Sequence, residues 1–100
     1  MAVQIVFDSV QQFEELVGEK DYDLAKTFVE SMLQNMYSDG DKITIAEVYF
    51  EEEDYIYDFE VTKPNLIPNL KEFLPIYERE EDYEGCALIA SAIKTLEDLA

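Results

Sequence analysis

The chain has 100 residues, of which 24 are Asp or Glu, seven are Lys or Arg and none is His, giving a formal charge of −17. Apolar residues make up 48% and aromatics 13%, enough for one folded domain over residues 1–100 and unlike a disordered acidic tail. So negative a surface excludes direct nucleic-acid binding and docking on anionic membranes, because both present negative groups to it.

Residues 3–7 (VQIVF) read as a strand with Val3, Ile5 and Phe7 on one face. Ser9 is a good N-cap for a short first helix, and Gln12 completes a capping box. Phe13, Leu16 and Val17 form the stripe of that helix, and Gly18 stands where a C-cap glycine belongs. Asp21 or Asp23 caps a longer second helix reaching about Tyr37, with Leu24, Phe28, Met32 and Met36 at every fourth position. Ser38, Asp39, Gly40 and Asp41 then mark a turn.

Residues 42–62 predict a β-hairpin, rich in β-branched and aromatic residues. A loop of Glu51, Glu52, Glu53 and Asp54 sets Phe50 opposite Tyr55, Val48 opposite Tyr57, Ala46 opposite Phe59 and Thr44 opposite Val61. This apolar face is expected to cover the helices. The other face pairs Tyr49 with Ile56, Glu47 with Asp58 and Ile45 with Glu60. Pro64 ends the hairpin, a third helix starts near Pro68 carrying Leu70, Phe73 and Leu74 inward, and Pro75 kinks or stops it. Asp82 caps a last helix with Cys86, Ile89, Ala92 or Ile93, and Leu96 in its stripe. The expected fold is α+β, a single small domain in the order β-α-α-β-β-α-α with the hairpin packed on helices.

No apolar run reaches the roughly 18 residues of a membrane span, and the N-terminus lacks the basic start of a signal peptide. With Cys86 as the lone cysteine, a reducing cytoplasm is the expected compartment. Catalysis is not expected: histidine is absent, Cys86 has no neighbouring base, and a chain this short has little room for both core and cleft. An EF-hand register on Gly40 puts Tyr37 and Ala46 where oxygen ligands are needed, and the glycines are isolated, so no metal or other cofactor is expected.

The acids themselves are the strongest signal. Residues 47–60 hold Glu47, Glu51, Glu52, Glu53, Asp54, Asp58 and Glu60 with no base, and residues 78–84 hold Glu78, Glu80, Glu81, Asp82 and Glu84 against Arg79. Solubility needs a net charge of only about 2 to 8 in a small domain. The excess suits a strongly basic partner, and carboxylates two apart on a strand, roughly 6.5–7 Å, can stand in for a row of phosphates. Tyr22, Tyr49, Tyr55, Tyr57, Tyr77 and Tyr83 are interleaved and can act as anchors or as core, the latter being the reading for Tyr57.

In size and charge the chain resembles the DNA-mimic inhibitors of phages and mobile elements, which share a strategy and no common fold. That resemblance implies a non-catalytic inhibitor occupying the nucleic-acid site of a basic restriction, CRISPR or DNA/RNA-processing protein. Separately, residues 77–96, with the acidic-aromatic turn Glu81-Asp82-Tyr83-Glu84 and the small pair Cys86-Ala87, resemble the helical hairpin of the UVR motif. Ala90-Ser91 stands where that motif has Arg-Asp, and the likeness implies protein–protein contact. The alternative to mimicry is an acidic interaction module, such as an immunity protein, chaperone or transcription accessory factor, docking through tyrosine and apolar anchors.

Overall fold

Three runs of β-branched and aromatic residues pair into one sheet. A computed structural model describes residues 2–99. Strands β1 (Val3–Phe7), β2 (Lys42–Phe50) and β3 (Tyr55–Thr62) lie in the order β1-β2-β3, with β1 parallel and β3 antiparallel to β2. Helices α1 (Val10–Gly18) and α2 (Tyr22–Asn35) connect β1 to β2. After β3 a 3₁₀ turn (Lys63–Asn65) leads into α3 (Leu66–Arg79) and α4 (Tyr83–Leu99). The element order is the expected β-α-α-β-β-α-α.

The core lies between the inner sheet face and the helices. Phe7, Ile43, Val48, Phe50 and Val61 from the sheet meet Leu24, Phe28 and Met32 of α2 and Met36 at its C-cap. Leu66, Leu70 and Tyr77 of α3 join the same cluster, and Ile89, Ala92 and Ile93 extend it into α4. Among the described residues no helix covers the outer face, where Val6 and Ile56 are 60% and 57% exposed.

The hairpin register matches expectation from Phe50–Tyr55 down to Ala46–Phe59, then shifts. A β-bulge at Ile45 sets Thr44 opposite Glu60, where Val61 was expected, and Ile43 opposite Val61. Its cause is local: Ile45 and Ala46 are adjacent in sequence yet both buried, and the Ile45 carbonyl accepts the hydroxyl of buried Ser31 on α2. The expectation that helices cover the whole apolar face fails at the tip. Tyr55 and Tyr57 are 57% and 41% exposed, so Tyr57 is not core, although its ring meets Phe50 at 5.3 Å. The hairpin outreaches the helices there.

Helix ends follow cap chemistry with two corrections. Ser9 accepts the Gln12 N–H (3.1 Å) while Gln12 Oε1 accepts the Asp8 N–H (2.9 Å), and Asp21 accepts from Leu24 N (3.0 Å). Gly18, however, stays within α1. The left-handed residue is Lys20 (φ 55°), with Asp21 N–H bonded to Leu16 O and Lys20 N–H to Val17 O in a Schellman motif. Helix α3 begins at Leu66 and runs past Pro75 to Arg79. Pro68 falls in the first turn, where its missing N–H costs nothing, and burial of Ile76 and Tyr77 outweighs the bond lost at Pro75. A second Schellman motif ends α3, with Glu81 left-handed (φ 57°) and Asp82 N–H on Tyr77 O.

Candidate partner-binding surface

The four-residue loop that closes the hairpin is tied down from several sides. Glu51 N–H donates to Phe7 O and Glu52 N–H to Asp8 O, both at 3.0 Å, so the loop rests on the junction of β1 and α1. Asp54 closes it in the left-handed conformation (φ 50°) that Asp tolerates. Tyr49 Oη donates to Asp54 Oδ1 (2.6 Å) and Tyr57 Oη to Glu53 Oε2 (3.0 Å). These bonds to carboxylates, reinforced by desolvation, raise both phenol pKa values. Glu51 and Glu52 keep their carboxylates clear of any hydrogen bond or ion pair among the described residues. The array is therefore fixed in backbone and charged in side chain.

Below the tip, the outer sheet face continues the charge. Glu47 and Asp58 stand opposite each other, as expected, and Glu60 lies two residues beyond Asp58. Cross-strand Cβ atoms are about 5 Å apart, and like charges so placed destabilise the pair by some tenths of a kcal/mol to about one. Beside them Gln4, Val6, Tyr49 and Ile56 line a shallow depression of about 210 Å³. All seven candidate acids of residues 47–60 thus sit on the tip and outer face of one hairpin.

The second acidic set, Glu78, Glu80, Glu81, Asp82 and Glu84, occupies the corner between α3 and α4, where the carboxylates of Glu80 and Asp82 help to hold it. Asp82 Oδ1 accepts the Gly85 N–H (2.9 Å) as the cap of α4, and Asp82 Oδ2 accepts from Tyr22 Oη (2.5 Å). Those two bonds hold the Asp82 carboxyl below its ordinary pKa, and the Asp82 bond drives the Tyr22 phenol up to about 12. Arg79 pairs with Glu80 (3.1 Å), the one ion pair among the described residues, and its Nη2 also donates to Lys20 O (2.8 Å). Lys26 lies 5.9 Å from the Tyr22 ring centre. The corner is therefore partly compensated by bases, whereas residues 47–60 of the hairpin are not.

The two sets are not brought together. The hairpin tip meets the start of α1 at Asp8, and the corner meets its end at Lys20. Helix α1, nine residues and roughly 13 Å long, lies between these points. Glu14, Glu15 and Glu19 are exposed along that helix. Asp8 is the tip acid that sequence reasoning left out of the site, because its place depends on the parallel β1–β2 pairing, which no local pattern announces.

Cys86 is half-buried, and burial pushes its thiol pKa up, which makes it a poor nucleophile. Among the described residues no group of three or more His, Cys, Asp or Glu is arranged to hold a metal ion, and no helix is long and apolar enough to cross a membrane. An apolar cavity of about 260 Å³ lies between α1, α2, α3 and Phe59, with Phe13, Phe28, Phe73 and Ile76 on its walls. No family model, curated protein or solved structure matches the chain.

Proposed function

We propose that this protein is a non-catalytic acidic inhibitor of the cytoplasm that mimics nucleic acid and occupies the nucleic-acid-binding site of a basic restriction, CRISPR or DNA/RNA-processing protein. One observation carries the reading: seven carboxylates share the tip and outer face of a hairpin whose residues 47–60 hold no base and whose loop is pinned at four points. Pre-fixing the charges lowers the ordering cost on binding and steers a basic partner. The carboxylates of Glu51, Glu52, Asp58 and Glu60 make the contact, and those of Glu53 and Asp54 brace it through the tyrosines.

The test uses the partner that the full chain retains, identified and purified. Its affinity should fall steeply with ionic strength, DNA should displace it, and Glu51→Lys with Glu52→Lys should weaken it by about tenfold or more at low salt. A partner that ignores both salt and DNA would overturn mimicry. The second reading would then stand, an interaction module docking through anchors, which the exposure of Tyr55, Ile56 and Tyr57 on the same hairpin favours.

A further inference from the structure

The outer edge of β3 is the longest unpaired edge of the sheet. β3 is terminal in the strand order and eight residues long, against five for β1 at the other edge. Among the described residues, no turn, loop or cap backbone hydrogen bond involves residues 55–61, so the side of the strand turned away from β2 is open. Residues 55–58 are exposed, as is Glu60. An open ladder edge is a template for another strand unless something opposes pairing.

The side chains on β3 decide what can pair. A second copy of this chain is opposed, since two β3 strands would bring Asp58 and Glu60 near the same carboxylates between bodies of −17 each. The two faces of the strand also differ. Asp58 and Glu60 project from the outer face, while Tyr55, Tyr57 and Phe59 project from the inner face, where Phe59 also forms part of the apolar cavity wall. A strand laid beside β3 meets carboxylates on one side and aromatic rings on the other, at a repeat of two residues. β1 offers no such code, because Gln4 and Val6 occupy its outer face.

We infer that the edge of β3 receives an extended segment of the basic partner as a fourth strand, with Lys or Arg alternating with apolar residues. This rests on the reading of the protein as a binder of basic proteins and specifies how the partner is held. Main-chain bonds to β3 supply affinity, Asp58 and Glu60 select basic side chains at alternate positions, and Tyr55 and Tyr57 receive the apolar ones.

The probe is a synthetic (Lys-Val)₄ peptide, compared with the same peptide carrying N-methyl groups at alternate residues, in both registers, with the full chain as receptor. The plain peptide should bind, slow hydrogen exchange at amides within residues 55–62, and lose at least about tenfold in affinity in whichever methylated form blanks the bonding edge. Asp58→Lys with Glu60→Lys, both exposed sites, should cost more affinity than Glu51→Lys with Glu52→Lys, with folding checked by circular dichroism. Equal binding of plain and methylated peptides, no binding by either, or unchanged exchange in β3 would overturn strand addition. So would β3 protection arising from a dimer of the chain alone. Any of these results, with DNA still displacing the basic partner, would leave mimicry standing and remove only the fourth strand. Loss of DNA competition with β3 protection retained would do the reverse.

Discussion

At the residue scale, the corner between α3 and α4 depends on one missing side chain. A Cβ at Gly85 would sit 2.4 Å from Tyr77 Cδ2 and 2.7 Å from Asp82 Oδ2, and Tyr77 is itself buried against Tyr22. Gly85→Ala should therefore destabilise the fold by about 1–3 kcal/mol in urea melts, as overpacking does, despite the better helix propensity of alanine. Asp82 gives a pH signature. Its pKa is lower folded than its ordinary 3.8, so its contribution is complete above that value and lost as pH falls through the lowered one. Asp82→Asn should lower stability at neutral pH and flatten the loss that sets in below about pH 4, read by thermal melts across the acid range. The cap itself was legible from Asp82 standing before an apolar stripe. The Tyr22 bond was not, because it joins residues sixty apart.

At the element scale, each terminus met a local rule, and the departures came where burial or bonding overrode it. Gly18 looked like the natural stop for α1, but the chain runs two residues further before it takes the left-handed conformation at Lys20. A side chain there costs roughly 1–2 kcal/mol relative to glycine, so Lys20→Gly should stabilise the protein by about 1 kcal/mol, measured as a raised urea midpoint with unchanged slope. Pro75 looked like a stop for α3, yet Ile76 and Tyr77 are buried beyond it. The hairpin was legible because its loop is a run of four acids, which fixed the register down to Ala46. The bulge at Ile45 was not, since it answers to Ser31 on helix α2. Tyr57 was misplaced for a related reason: alternation says which face a residue is on, and only the reach of the helices says whether that face is covered.

At the scale of the whole molecule, charge dominates. With 24 acids against seven bases and one ion pair among the described residues, the folded state repels itself. Screening should relieve this: raising sodium chloride from about 0.05 M to 0.5 M, which shortens the Debye length to a few ångströms, should raise the melting temperature by a few degrees. The same salt should weaken the proposed complex, so stability and affinity should move in opposite directions. The abundance of acid was plain from composition. Its division into an uncompensated hairpin tip and a partly compensated corner needed the fold, because Arg79, Lys20 and Tyr22 converge on the corner from separate elements.

The parallel pairing of β1 with β2 has a temporal consequence. The β2–β3 hairpin closes across four residues, an event of microseconds, whereas β1 reaches its sole strand partner only across residues 8–41, which must first become α1 and α2. The opening strand of the chain is thus expected to be seated after the hairpin has closed. Until it docks, Glu51 and Glu52 lack the Phe7 and Asp8 carbonyls that steady the loop, so the acidic tip is complete only once β1 is in place. Loosening β1 should accordingly speed the escape from the native state far more than it slows arrival there.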